Sequence, residues 1–152
     1  MDAHLLYSYS IPYPRPIPKM STVTIANLPR ITRDELAQRL RTPSPSSLAI
    51  IDVRDSDHIG GHIRSSTHVP SSSLDFKIPE LIRTLRDKET VVFHCALSQQ
   101  RGPSAALRYI RERDRILGRE GGGKRDEAGE EGKGRGQKVV VLEGGFVKWQ
   151  EK

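Results

Sequence analysis

Three short runs constrain this chain more than anything else in it. Leu48-Ala49-Ile50-Ile51-Asp52-Val53 is almost continuously apolar, where a strand with one wet face would alternate. Such a run belongs to a parallel strand covered on both sides. Thr90-Val91-Val92-Phe93 and Lys138-Val139-Val140-Val141-Leu142 also read as strands. Helical stretches lie between them. Thr32-Arg33-Asp34-Glu35 has capping-box form, and Leu36, Ala37 and Leu40 give the following helix one apolar face. Pro79 to Arg86 has proline at a first helical turn and apolar residues at Leu81, Ile82 and Leu85. A further helix is predicted over 103–117, with Ala105, Ala106, Tyr109 and Ile110 on the sheet and Arg108, Arg111, Arg113 and Arg115 outward. The alternation predicts an α/β fold of three layers, a central and mainly parallel sheet flanked by helices.

Smaller elements fill the gaps. Val23-Thr24-Ile25 reads as a first strand, and a polar connection begins at Ser71 to Ser73. Glu143-Gly144-Gly145 makes a turn into a short terminal helix, with Trp149 as a core anchor. Thr42 to Ser47 is a turn region, and Ser44 before Pro45 is more simply a loop serine than a phosphorylation site. Residues 1–20 alternate prolines with tyrosines, which forbids a helix and favours an extended arm. Residues 118–137 hold eight glycines and ten charges, five of each sign. That composition cannot offset its own conformational entropy, so a disordered insertion is expected there. One domain, 21–152, carries the rest.

The chemistry gathers at His94-Cys95-Ala96-Leu97-Ser98-Gln99-Gln100-Arg101-Gly102-Pro103. The only cysteine sits where a strand ends and a helix begins. A loop that feeds a helix N-terminus aims backbone N–H groups at one spot, and the helix dipole adds positive potential. Arg101 supplies a planar cationic fork suited to a tetrahedral oxyanion. Cys95 at the base of that cup has its thiolate stabilised and becomes a nucleophile. Ala96, Leu97, Ser98, Gln99, Gln100 and Arg101 are the candidate substrate-binding residues. His94 reads as structural. A lone buried cysteine is often inert, but the arginine at this spacing reverses that reading.

The stretch resembles the signature of the rhodanese-like phosphatases: the cell-division-cycle dual-specificity enzymes and the small fungal phosphatases and arsenate reductases near them. Those carry His-Cys, five residues, then Arg-Gly-Pro. Ile51-Asp52-Val53-Arg54 with Gly60-Gly61-His62-Ile63, and Val141 to Phe146 with Trp149, resemble two further motifs of that family. The resemblance implies a rhodanese-like fold and a phosphocysteine mechanism. It also points to a bracing role for Arg54. The cell-division-cycle enzymes have glutamate where this chain has Ala96, so the leaving-group proton would come from Asp55, Asp57 or the substrate, or from no protein acid at all.

The leading expectation is therefore a cysteine-dependent phosphatase of protein-tyrosine or dual-specificity type that needs no cofactor. The alternative is an arsenate reductase drawing on external glutathione and glutaredoxin. A sulfurtransferase is disfavoured because its loop is one residue shorter. An inactive binding module is disfavoured because such modules often lose the cysteine or arginine. His58, His62 and His68 invite a zinc reading, but they do not share a helix face and no second cysteine exists, so no metal is expected and His62 reads as packed. The net charge of +6 suits a phosphorylated substrate, a phosphoprotein among the candidates, as well as it suits nucleic acid. No lysine/arginine block is interleaved with aromatics, so nucleic acid ranks low. No apolar run approaches a membrane span. A cytoplasmic or nuclear monomer is expected.

Overall fold

The computed structural model describes residues 23–42, 47–120 and 136–151. Among these, one sheet is built from β1 (Arg30–Ile31), β2 (Leu48–Asp52), β3 (Ser66–His68), β4 (Thr90–His94) and β5 (Lys138–Leu142), in the order β1-β5-β4-β2-β3. Every pairing is parallel. All strands therefore finish at one edge, the edge where open α/β sheets place their ligands. The helices are α1 (Arg33–Arg41), α2 (Leu74–Thr84), α3 (Arg101–Glu120) and α4 (Gly145–Trp149). None of them is long and apolar enough to cross a membrane.

Alternation along the strands sorts two cores. Ile51, Val91, Phe93, Val139 and Val141 face α2 and α3, meeting Leu74, Ile78, Leu81, Ile82, Ala105, Ala106, Tyr109 and Ile110. Ile50, Val92, Val140 and Leu142 face the other way, onto Ile31, Leu36, Ile63 and Phe146. Both faces are covered, which is why the strand sequences are apolar without a break. The register sets Ile51 beside Phe93 and Asp52 beside His94, so a carboxylate and an imidazole are neighbours at the edge that carries the loops. Thr32 caps α1 as its sequence predicts: its side chain accepts from the Glu35 N–H, and the Glu35 carboxylate accepts from the Thr32 N–H.

Several expectations are corrected. The strand expected at Val23-Thr24-Ile25 does not form: Ile25–Asn27 make a 3-10 turn, and the Asn27 side chain accepts the Thr24 N–H at 2.6 Å and closes the chain on itself. The first strand is β1, tied to β5 through Pro29 O and Ile31 O. Pro79 lies inside α2, not at its start. An interior proline costs about 3 kcal/mol, but beginning the helix at Leu74 buries Leu74 and Ile78, each worth ~1.5–3 kcal/mol. Helix α3 begins two residues before Pro103, whose missing N–H falls among the donors a helix leaves unpaired anyway. His62 is exposed, and Trp149 only half-buried.

The described ends of the expected 118–137 insertion are ordered, against what its composition implies. Residues 118–120 continue the helix, and Gln137 is buried. Gln137 accepts from the Tyr109 hydroxyl at 2.8 Å and donates to Leu85 O and Lys88 O at 2.7 and 2.9 Å. Arg113 turns inward to Gln137 O at 3.1 Å instead of facing solvent. The expected extension at 1–20, Ser44, and the middle of the expected insertion, 121–135, lie outside the described residues.

Candidate active site

Strand β4 ends at His94 and α3 begins at Arg101, so residues 95–100 form the predicted loop. Cys95 is buried in the core between the sheet and α3. Ser98 takes a left-handed conformation, φ +53°, and this curl brings its N–H to 3.2 Å from Cys95 Sγ. Gly102 allows the first turn of α3 to press on the base of the loop, since a Cβ there would stand 3.4 Å from Cys95 N and His94 Cα.

The loop is held from outside. Helix α4 donates two backbone N–H groups to it: Phe146 to Cys95 O at 3.0 Å and Val147 to Ala96 O at 2.9 Å. Arg30 Nη1 donates to Ser98 O at 3.2 Å. No peptide here is cis. In a trans peptide the N–H points opposite to the C=O. Fixing these three carbonyls therefore turns the N–H groups of Ala96, Leu97 and Gln99 away from α4 and Arg30. Together with Ser98 N–H they make the donor set an oxyanion needs. Gly145 makes the docking possible: its φ is +60°, and a Cβ would lie 2.5 Å from Ala96 O and 2.6 Å from Cys95 O.

Arg101 is at the expected position, but its guanidinium is already engaged. Nη1 and Nη2 reach the two Asp57 oxygens at 2.8 and 2.5 Å, and Nη1 also reaches Asp55 Oδ2 at 3.3 Å. The hydrogen bond from Arg101 holds the Asp57 carboxyl well below the usual carboxylate range. The Ser71 hydroxyl, at 2.5 Å, and the Ser72 N–H pull the Asp55 carboxyl down as well. Both candidate proton donors therefore stand beside the arginine, and both are ionised in this arrangement.

Beneath the loop lies a buried polar floor. Asp52 and Arg54 are 0% and 1% exposed and pair at 2.7 Å. Burial alone would raise the Asp52 carboxyl, but the Arg54 hydrogen bonds and neighbouring charges outweigh it and hold the group down. Arg54 also donates to Gly61 O at 2.9 Å and stacks on the Phe146 ring at 3.9 Å, the bracing role expected of it. His94 is fully buried, its Nδ1 3.2 Å from Cys95 O, and burial pushes its pKa down. His58 stacks on His68 at 3.8 Å, and His68 Nε2 meets Arg54 O at 2.5 Å.

A family model described as the rhodanese-like domain matches residues 32–152. The chain belongs to the rhodanese-like family. An Arabidopsis thaliana protein named dual specificity phosphatase Cdc25 is 39% identical over 121 residues, covering 79% of this chain and 71% of the relative. The solved As–Sb reductase of Leishmania major is similar with a TM-score of 0.59 and 32% identity, over 82% of this chain and 78% of that one. The solved yeast protein tyrosine phosphatase of the rhodanese family, Ygr203w, is similar with a TM-score of 0.58 and 30% identity, over 86% and 88% of the two chains.

In this rhodanese-like domain the loop residues divide by role. Ser98 is buried, while Leu97, Gln99 and Gln100 expose their side chains. Leu97 and Gln99 turn backbone N–H groups toward the cup, as Ala96 and Ser98 do. Sequence reasoning missed Arg30 and the α4 amides as supports. The Gly144-Gly145 pair signals a backbone with positive φ, but nothing local in the sequence says that it touches the Cys95 loop.

Proposed function

We propose that this rhodanese-like domain is a cysteine-dependent phosphatase of the protein-tyrosine or dual-specificity type, working through a phosphocysteine. The observation that carries this reading is the Ser98 N–H directed at Cys95 Sγ inside a loop whose carbonyls are tied outward. The Cys95 thiolate attacks phosphorus and the ester P–O bond breaks. The leaving oxygen takes a proton, and water then cleaves the S–P bond to give inorganic phosphate and the thiolate. The loop N–H groups and Arg101 bind the equatorial oxygens and stabilise their transition-state charge. For this, Arg101 exchanges Asp57 for the oxyanion. Asp57, once released, is a carboxyl next to the substrate and becomes the candidate donor of the leaving-group proton.

Arsenate reduction is the second reading. It is favoured by the lack of a carboxylate in residues 96–100 and by the similarity to a solved As–Sb reductase. Cys95 would displace a hydroxyl of arsenate to form an S–As(V) adduct. A glutathione thiolate attacking the Cys95 sulfur would release arsenite, two electrons reduced, and leave a Cys95–glutathione disulfide for glutaredoxin to reduce. An external thiol is required because Cys95 is the only cysteine.

The deciding experiment is hydrolysis of an aryl phosphate without added metal, by the intact protein and by Cys95→Ser, beside arsenite formation from arsenate with glutathione and glutaredoxin. Hydrolysis that disappears in Cys95→Ser is the expected result. No hydrolysis, with arsenite formation that needs Cys95, overturns it in favour of the reductase.

A further inference from the structure

A groove of about 550 Å³ adjoins the catalytic loop on the side of β1 and α4. Leu97, Ser98 and Gln99 of the loop line it together with Val147 and Lys148 of α4. It borders the cup directly, since Ser98 belongs to both: its N–H faces Cys95 Sγ and its carbonyl is held by Arg30. Two cations line it, Arg30 and Lys148, and neither has an ion-pair partner among the described residues. The one acid of the lining, Glu151, lies 3.8 Å from Arg33. Leu97 is 52% exposed and Val147 36%, large apolar side chains at the mouth of a polar site.

An open channel with an apolar wall and unpaired cations complements an extended segment carrying apolar and acidic side chains. Resting on the phosphatase reading, we propose that this groove binds the chain flanking a phosphorylated residue, and that it selects phosphopeptides with an acidic residue beside the phosphate. The phosphate itself sits over Cys95. A neighbouring carboxylate meets Lys148 and the Arg30 donors not committed to Ser98 O, while apolar flanks lie against Leu97 and Val147. The substrate class is thereby an acidic stretch of phosphoprotein, not a free phosphorylated metabolite.

Lys148 can be tested without touching the loop. Its backbone carbonyl accepts from Arg33 and its stem lies over Gly144, so both Lys148→Glu and Lys148→Gln preserve the main chain. Binding is read by fluorescence anisotropy on Cys95→Ser, which does not turn over, using phosphotyrosyl peptides flanked on either side by Asp, Ala or Lys. A rim charge contributes up to ~1 kcal/mol, about fivefold in affinity. The Asp-flanked peptide should bind about fivefold tighter than the Ala-flanked one, and Lys148→Gln should abolish that preference. Lys148→Glu should reverse it in favour of the Lys-flanked peptide, and 0.5 M salt should weaken it. Equal binding of all three peptides, no phosphopeptide binding, or a preference that survives in Lys148→Glu overturns the groove proposal. Loss of aryl phosphate hydrolysis in the intact protein would instead fail the phosphatase reading, because anisotropy does not depend on turnover.

Discussion

Arg101 grips Asp57 through two hydrogen bonds, Nη1 to Oδ1 at 2.8 Å and Nη2 to Oδ2 at 2.5 Å. The residue whose chemistry suits an oxyanion thus holds an internal carboxylate in the same bidentate fashion. Asp57 is fixed in turn by the Asp55 N–H at 2.9 Å. Any oxyanion that uses this fork has to compete with Asp57.

Replacing Asp57 by Asn should therefore tighten oxyanion binding. The two side chains are 35% and 40% exposed, so solvent screening limits the pair to ~1 kcal/mol. The inhibition constant for tungstate or phosphate should fall about fivefold. With an aryl phosphate, whose leaving group needs no proton, KM should fall while kcat holds. With an alkyl phosphate kcat should drop. An unchanged tungstate constant would show that Arg101 does not need to leave Asp57.

Gly145→Ala should abolish hydrolysis, because its Cβ would enter the carbonyls of Cys95 and Ala96. Gly60→Ala is the control. Its φ of +80° imposes comparable strain, about 1–2 kcal/mol, but nothing lies within 4 Å of the added carbon. Melting temperature and kcat together separate the cases: both variants lose some stability, and only Gly145→Ala loses the reaction.

Arg54→Lys should destabilise the fold by about 1–3 kcal/mol, since the ammonium keeps the charge but loses the fork that binds Asp52 and Gly61 O together. Denaturant unfolding measures this. A loss below 1 kcal/mol would mean that a lysine can satisfy Asp52 and Gly61 O together.

Stability should also fall below neutral pH. Burial depresses the folded pKa of His94, so the unfolded chain takes up a proton first, near pH ~6.5. The His94 contribution is complete above that pH and is lost as pH drops toward the folded value, at ~1.4 kcal/mol per unit. Below pH ~4 the depressed Asp52 adds a second loss of the same sign. His94→Asn should flatten the slope that sets in just below pH ~6.5 in urea titrations. The same slope in the variant would place the titrating group elsewhere.

The parts legible in the sequence are those whose cause is local. The strands β2, β4 and β5 show in apolar runs, α1 in a capping box, and the Cys95 to Arg101 loop in a strand-to-helix junction. What was not legible depends on distant partners. Val23-Thr24-Ile25 reads as a strand until the Asn27 side chain folds back on Thr24. Pro79 signals a helix start unless the gain from burying Leu74 and Ile78 is known. Gln137 sits at the end of a glycine-rich, charged stretch, and only the positions of Tyr109, Leu85 and Lys88 show it to be a buried anchor. The grip of Arg101 on Asp57 links residues 44 positions apart, which no local pattern reports.

The Gln137 anchor bears on how the molecule could be divided. Gln137 fixes the start of β5 through Leu85, Lys88, Tyr109 and Arg113, none of which lies in the stretch that joins α3 to it. Docking of β5 is thus set by what it meets, not by what leads to it. A chain severed between 121 and 135 would yield a small fragment holding both the inner strand β5, which lies between β1 and β4, and the α4 amides that aim the Cys95 loop. Neither fragment alone has a complete cup, and the two together do. That makes the domain a natural split reporter, in which recovered hydrolysis would signal that two tethered proteins have met.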